Sequence, residues 1–145
     1  MVVVPTGAVG LALGGCAILR GGASHPVLES SQQRLEGTQL HIPLASLTGI
    51  ASGGALEVKP GAGHPDLLLS SAGQGQWHVV TAHCTHRGCV VDWNAPASEW
   101  QCPCHGSRYA PDGHVLHGPA EKPLKQPPSR VEGDHLIVDL AGLAN

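Results

Sequence analysis

An all-β domain is the fold class that the sequence predicts, and two observations support it. From about Gln39 onward, short apolar segments alternate with Gly, Pro, Asp or Asn, which is typical of short strands joined by turns. The composition agrees, because 20 Gly and 12 Pro in 145 residues disfavour long helices. The segments that we predict as strands are LHIPL, ALEVK, DLLLS, WHVVTA, CVVDW, EWQC and HLIVDL.

The N-terminal segment, residues 1–19, carries no charged side chain and is mostly apolar. A membrane-spanning helix needs about 20 apolar residues. This segment is interrupted by Pro5 and has no basic start, so it is an imperfect secretory signal. Residues 13–16, LGGC, resemble a bacterial lipoprotein cleavage box, in which Cys16 would carry the lipid. Three alternatives remain open for this segment: lipidation at Cys16, an uncleaved or membrane-spanning anchor, or neither of the two.

Residues 20–38 are polar and rich in turn-forming residues, and we predict a flexible linker between the N-terminal segment and a domain at 39–145. Only 13% of the residues are charged and the net charge is -3, so no feature indicates a nucleic-acid partner. A Gly-rich core in a domain of this size often needs a metal or a disulfide for stability.

Two short segments contain four of the five cysteines: CTHRGC, residues 84–89, and CPCHGS, residues 102–107. Each also contains one histidine. Seven of the eight other histidines follow no ligand spacing and are mostly expected at the surface, whereas His83 abuts Cys84 and is expected to shape the loop rather than to bind a metal. Thiolates favour zinc, copper(I) or iron–sulfur clusters, and imidazole suits zinc and iron. Six candidate ligands are too many for one tetrahedral zinc. A binuclear cluster bound by two Cys and two His needs one of each from two facing loops, and the segments supply them.

The two motifs, in this order, resemble those of Rieske iron–sulfur proteins. The stretch CTHRGCVVDWNAPASEWQCPCHGSRYAPDGHVLHGPAEKPL, residues 84–124, is most similar to the high-potential Rieske subunits of cytochrome bc and chloroplast-type bf complexes. The resemblance implies a Rieske-type fold: a small antiparallel β-sandwich or barrel-like base with an inserted cluster-binding subdomain of loops at about 82–124. A structural zinc module is the alternative outside this family.

The resemblance implies one 2Fe-2S cluster in the chain. Cys84 and Cys102 would bind one iron, and His86 and His105 would bind the other. The two remaining cysteines of the motifs would form a disulfide that joins the two loops, and such a disulfide suits an oxidising compartment. These two are Cys89 and Cys104.

Two hydroxyl groups are expected to tune the cluster, because Ser107 would donate to a bridging sulfide and Tyr109 to the sulfur of the first cysteine ligand. Donors aimed at the sulfurs stabilise the charge added on reduction, so the potential should lie in the upper part of the Rieske range of roughly -150 to +300 mV. The resemblance also implies that His86 and His105 carry protons, which would couple electron transfer to proton transfer.

One residue departs from the family pattern: Arg87 occupies a position where the family often has Leu. That Leu contacts the quinol site, so Arg87 leaves two functions open. The first is the Rieske subunit of a quinol-oxidising complex of the quinol:cytochrome c or plastocyanin reductase type. The second is an electron-transfer subunit of another membrane-side oxidoreductase, similar to arsenite oxidase, or a stand-alone carrier.

The resemblance implies redox proteins as partners, namely cytochrome b, a c-type cytochrome or similar proteins, with quinol as a possible substrate. It also implies a place in a respiratory or related electron-transport chain. We expect the protein on the periplasmic side of a bacterial inner membrane, held by the N-terminal segment or by a lipid on Cys16. Segment 118–124, GPAEKPL, resembles the third loop that covers the cluster in this family.

Overall fold

The structure is a computed structural model, and it describes residues 25–61 and 63–143. Within these ranges the chain is almost entirely β-structure, with short 3-10 helices at Ser30–Gln32 and Leu44–Ile50, so the predicted all-β class is confirmed. The strands are β1 (Val27–Leu28), β2 (Arg34–Glu36), β3 (Gln39–Pro43), β4 (Ala55–Val58), β5 (Leu67–Gly73), β6 (Gln76–Thr81), β7 (Asp92–Asn94), β8 (Glu99–Gln101), β9 (Arg108–Tyr109), β10 (Val115–His117), β11 (Ser129–Glu132) and β12 (His135–Asp139).

The strands form three sheets of four strands each, in the orders β1-β4-β5-β6, β11-β12-β3-β2 and β10-β9-β8-β7. The pairings are antiparallel except that of β1 with β4. The first two sheets form the base. The third is inserted between β6 and β11, where the sequence predicted the cluster-binding subdomain. This subdomain has a four-stranded sheet of its own, whereas the resemblance implied a subdomain of loops and the sequence predicted only the segments CVVDW and EWQC as strands there.

The sheet β1-β4-β5-β6 is buried on both faces, and this explains the uninterrupted run of leucines in β5. Leu67 and Leu69 belong to a core shared with the other base sheet, whereas Leu68 belongs to a second core shared with the inserted subdomain. Successive side chains of a strand point to opposite faces, so a strand between two cores needs an apolar residue at every position. The second core also contains Cys84 and Cys102. The two predicted cysteine ligands therefore lie in a packed core beside the base.

The described part of the predicted linker contains strands. Residues 27–28 form β1, which pairs with β4, and Leu28 is buried in the core of the base. Residues 34–36 form β2, which pairs with β3. Segment 1–19, Cys16 and residues 20–24 lie outside the described residues. Among the residues that are described, no helix is long and apolar enough to cross a membrane.

His25 is the exception to the expectation of surface histidines, because it is only 7% exposed. Its Nε2 lies 4.0 Å from Oε2 of Glu57, and its Nδ1 lies 4.0 Å from Oδ1 of Asp92. Its ring meets the edge of Trp100 at a centroid distance of 6.1 Å. Within the described residues, neither ring nitrogen has a hydrogen-bond partner. His25 thus bridges β4 of the base and two strands of the inserted subdomain.

Protonation of His25 is expected to destabilise the fold. Burial lowers the pKa of His25 from its ordinary value of 6.5, although Asp92 and Glu57 oppose that shift. The unfolded chain then binds a proton at His25 more readily than the folded chain does. The free energy of unfolding is therefore highest above about pH 6.5 and decreases as the pH falls below that value. When the pH is lowered from about 7.5 to about 5.5, the melting temperature of a His25→Gln variant should therefore decrease less than that of the parent.

The exposed residue His114 supplies the control. His114→Gln removes one histidine that pairs with Asp112 at the surface, and it should leave the acid-side loss of melting temperature close to that of the parent. Equal slopes in the parent and in His25→Gln would show that His25 does not contribute to the pH dependence.

Candidate metal centre

The two Cys/His loops, residues 84–89 (the first loop) and 102–107 (the second loop), have the same backbone turn. In each, the N–H of the first cysteine donates to the C=O five residues later, and the N–H of the glycine four residues later donates to the C=O of that cysteine. The bonds are Cys84 to Cys89 (2.8 Å) and Gly88 to Cys84 (2.8 Å) in the first loop, and Cys102 to Ser107 (2.8 Å) and Gly106 to Cys102 (3.0 Å) in the second.

Glycine is required at the same position of both loops. Gly88 has a φ of 78° and Gly106 a φ of 80°, in the left-handed region where a side chain is strained. The first loop is also closed at its base by a β-bridge between His83 and Val90. His83, which abuts Cys84 in the sequence, therefore shapes the loop and is exposed to solvent.

The loops bring two buried thiols and two imidazoles together. Cys84 and Cys102 are free cysteines, each 3% exposed, and their side chains are hydrogen-bonding neighbours. The rings of His86 and His105 are nearly perpendicular, with a centroid distance of 4.8 Å. Nδ1 of His86 is buried and has no hydrogen-bond partner among the described residues. A buried nitrogen without a partner is costly unless a ligand binds it.

The two thiols differ in their electrostatic surroundings. Burial by itself would raise the pKa of the Cys84 thiol, but hydrogen bonds from Tyr109, the His86 backbone, Cys102 and Ser107 together lower it. Burial raises the pKa of the Cys102 thiol, and the neighbouring Cys84 raises that pKa further. Backbone hydrogen bonds from the second loop oppose this shift without cancelling it. The chain therefore stabilises one thiolate readily, and a second thiolate beside it needs a cation.

The hydroxyl of Tyr109 points at the sulfur of Cys84. The side chain of Tyr109 is fully buried, and its Oη lies 3.1 Å from Sγ of Cys84 and 3.1 Å from Oγ1 of Thr85. Oη accepts a bond from the backbone N–H of Thr85 at 3.2 Å, and Oγ1 of Thr85 donates to the C=O of Lys122 at 2.6 Å. Because the Thr85 proton goes to Lys122, the phenol proton of Tyr109 has two acceptors within reach, Sγ of Cys84 and Oγ1 of Thr85. Burial and the contact with Cys84 raise the pKa of Tyr109, so it remains a donor.

Ser107 is fully buried and connects the second loop to the third, segment 118–124. Its Oγ accepts a bond from the backbone N–H of Ala120 at 3.0 Å, and its side chain contributes to the lowered pKa of Cys84. Thr85 fastens the third loop to the first in the same way, through Lys122. The three loops are therefore held together by side chain to backbone hydrogen bonds.

A disulfide between Cys89 and Cys104 joins the first and second loops, as the resemblance implies. The Sγ atoms of Cys89, Cys102 and Cys104 lie within 4.8 Å of one another. Two of these sulfurs are bonded to each other, so they have no thiolate to offer a metal. The sulfur donors that remain at this site are those of Cys84 and Cys102.

The donor set is two free buried thiols, a buried imidazole nitrogen without a partner and a second imidazole beside it, and such a set suits a mixed sulfur and nitrogen metal centre. The family model described as the Rieske [2Fe-2S] domain matches residues 46–128, which is more than half of the chain. The chain belongs to the Rieske family. Rieske domains bind a 2Fe-2S cluster, so the chain is a one-electron carrier, and the zinc alternative is wrong.

Two curated iron-sulfur subunits of cytochrome b6-f complexes resemble part of the chain. The chloroplastic cytochrome b6-f complex iron-sulfur subunit of Bigelowiella natans is 55% identical over 56 residues, which are 39% of this chain and 21% of that protein. The cytochrome b6-f complex iron-sulfur subunit of Chlorobaculum thiosulfatiphilum is 43% identical over 67 residues, 46% of this chain and 37% of that protein. The matches thus cover less than two fifths of these relatives.

A solved Rieske structure resembles more of the chain. The plasma membrane Rieske protein of Synechocystis PCC 6803 is 31% identical with a TM-score of 0.57, and the alignment covers 67% of this chain and 94% of that one. The Rieske-type fold predicted from the motifs is confirmed. Sequence reasoning missed Thr85, which binds both Tyr109 and Lys122. Its only signal was its place beside the first cysteine.

Proposed function

We propose that this chain is a high-potential Rieske electron carrier and that four residues hold its cluster: Cys84 and Cys102 on one iron, and His86 and His105 on the other. The bound cluster would accept and release one electron at a time. The two buried thiols and the unpartnered Nδ1 of His86 support this assignment. The disulfide and the hydrogen bonds of Thr85 and Ser107 hold together the loops that carry these side chains.

The observation that carries the high potential is the donor arrangement at Cys84. Oη of Tyr109 lies 3.1 Å from its sulfur, and Ser107 also contributes to the hydrogen bonds that lower its pKa. Both donors favour negative charge on the sulfur. Reduction adds negative charge to the centre, so these donors stabilise the reduced form and raise the potential.

Low-temperature EPR after reduction with ascorbate tests this proposal. A Rieske-type spectrum, with an average g below the free-electron value, should appear with this mild reductant. A spectrum that appears only after dithionite would place the protein among low-potential Rieske proteins. It would also show that Ser107 and Tyr109 do not tune the centre as proposed.

Tyr109→Phe is expected to keep the cluster and lower its reduction potential by a few tens of millivolts. The variant keeps the buried ring but removes one donor to the Cys84 sulfur. A hydrogen bond to a charged acceptor contributes about 1.5–3 kcal/mol. Only the difference in this contribution between the oxidised and the reduced centre changes the potential. Potentiometric titration followed by EPR measures the shift. Trp93→Phe, which changes a neighbouring aromatic of the same core but no donor to sulfur, should leave the potential unchanged.

The complex that the chain serves is also a proposal. Relatives named as cytochrome b6-f iron-sulfur subunits favour the Rieske subunit of a quinol-oxidising complex, on the outer side of a bacterial membrane. Its partners would be a cytochrome b and a c-type cytochrome. Arg87 favours the second candidate, a subunit of another membrane-side oxidoreductase or a stand-alone carrier. Co-purification with a cytochrome b supports the first candidate, and isolation without one supports the second.

Proton coupling through His86 and His105 remains a prediction. The oxidised centre has more positive charge, which favours loss of a ring proton. Uptake of an electron would then be accompanied by uptake of a proton, and the reduction potential should decrease as the pH rises through the alkaline range. Protein-film voltammetry at a series of pH values measures this dependence. A potential that stays constant into strongly alkaline solution contradicts the coupling.

A further inference from the structure

The cations of the described residues are distributed unevenly. Arg34, Lys59, Arg108 and Arg130 each form an ion pair with a nearby acid. Arg87, Lys122 and Lys125 are exposed, and the described part of the chain provides no ion-pair partner for any of them. Two of these three, Arg87 and Lys122, lie in the loops around the metal centre. Unpaired surface charges create a field that a charged partner senses at a distance.

The matching turns of the first and second loops place Arg87 at the outer edge of the centre. Arg87 is three residues after Cys84, as His105 is three residues after Cys102, and the two loops share their hydrogen bonds. Arg87 therefore takes the turn position in the first loop that the exposed His105 takes in the second. A guanidinium and an imidazole thus occupy equivalent, solvent-facing positions on neighbouring loops.

Lys122 adds a second charge at the same edge. Its C=O accepts the 2.6 Å bond from Thr85, which is next to His86, and its side chain is exposed. Glu121 opposes it, so Arg87 and Lys122 together with Glu121 give the three loops a net charge of +1 in a chain whose net charge is -3. The side chains of the rest of the chain therefore carry a net negative charge, while the side chains around the histidines carry a net positive charge.

We propose that this edge, formed by His86, Arg87, His105 and Lys122 (the histidine edge), docks a one-electron redox protein with an acidic surface around its own redox centre. The inference rests on the proposed function, in which the reduced chain gives one electron to an acceptor that is reduced by one electron. The field attracts an acidic protein to the histidine edge and repels it from the acidic remainder. An anionic membrane surface fits the charge but offers no electron acceptor.

Electron transfer to small redox ions of opposite charge tests the sign of the field. Ascorbate-reduced protein is mixed in a stopped-flow instrument with hexacyanoferrate(III), an anion, or with tris(1,10-phenanthroline)cobalt(III), a cation. The rate constant with the anion should decrease as salt is added, and that with the cation should increase, because salt screens both interactions. Arg87→Gln should lower the low-salt rate with the anion by about threefold and raise that with the cation.

Arg130→Gln is the matched control. It makes the same change in net charge on β11, in the base, where Arg130 pairs with Glu132, and it should leave both rate constants unchanged. Equal effects of the two variants would mean that only net charge matters, and would overturn the inference. If ascorbate reduces the protein normally but Arg87→Gln leaves both rate constants unchanged, the docking inference is overturned and the proposed function is not affected.

Equilibrium binding gives a measurement that does not depend on electron transfer. A fluorescently labelled oligoglutamate peptide should bind the oxidised protein at low salt, and Arg87→Gln should weaken this binding by about threefold. If Arg87→Gln weakens binding to phosphatidylglycerol vesicles more than it weakens binding to the peptide, the histidine edge binds lipid and the inference is overturned. Failure of ascorbate to reduce the protein would contradict the proposed function and, with it, the redox partner.

Discussion

Cys102→Ser and His86→Gln variants are expected to lose the 2Fe-2S cluster completely. Each removes one of the four proposed ligands, and neither a serine hydroxyl nor a glutamine amide replaces the thiolate or the imidazole nitrogen that is removed. Iron and acid-labile sulfide per chain should fall from two of each in the parent to none in the variants, together with the EPR signal.

Loss of the cluster must be separated from loss of the fold. Cys102 belongs to the second core and His86 is half-buried, so far-ultraviolet circular dichroism of each variant should still show the β-structure of the base, which has a core of its own. His83→Gln is the matched control for His86→Gln, since His83 lies three residues before His86 and is exposed. A His86→Gln variant that retains iron and sulfide would exclude His86 from the ligand set.

The strands that the sequence predicted are those with a buried face. Segments such as DLLLS and HLIVDL became β5 and β12, because continuous or alternating burial leaves an apolar pattern. The segment CVVDW overlaps β7 only at its end, where the chain pairs with β8. The strands β2 and β11 were not predicted, since all their residues are exposed and their pairing leaves no such pattern. β9 and β10 have only two and three residues.

Much of the site was predictable because ligand chemistry constrains residue type and order. Two Cys/His motifs were enough to indicate the cofactor, and Cys89 and Cys104 pair as the resemblance implied. The tertiary contacts were not predictable. Nothing in the local sequence shows that Thr85 contacts Tyr109, 24 residues away, or that His25 is buried against Trp100. Such contacts depend on how the inserted subdomain packs on the base.

Replacing both disulfide cysteines, in Cys89→Ser/Cys104→Ser, should make the cluster labile. The bond closes a loop with a sequence separation of 15, and a disulfide across a loop of that size contributes about 3 kcal/mol by restricting the unfolded chain. It is also the covalent link between the first and second loops, each of which supplies half of the proposed ligands. The half-life of the visible absorption at elevated temperature should shorten by tenfold or more, with an initial cluster content close to that of the parent.

The double replacement is preferred to a single one, because a single variant leaves a free thiol whose sulfur lies within 4.8 Å of Cys102. That thiol could replace Cys102 as a ligand and preserve a cluster for the wrong reason. Treating the parent with a reductant that opens the disulfide supplies an independent control, since it should reproduce the lability without any substitution. If the double variant kept the parent's half-life, the hydrogen bonds of Thr85 and Ser107 to the third loop would be sufficient to hold the loops. Thr85→Val in the double-variant background should then shorten the half-life, because it removes the bond to the Lys122 carbonyl.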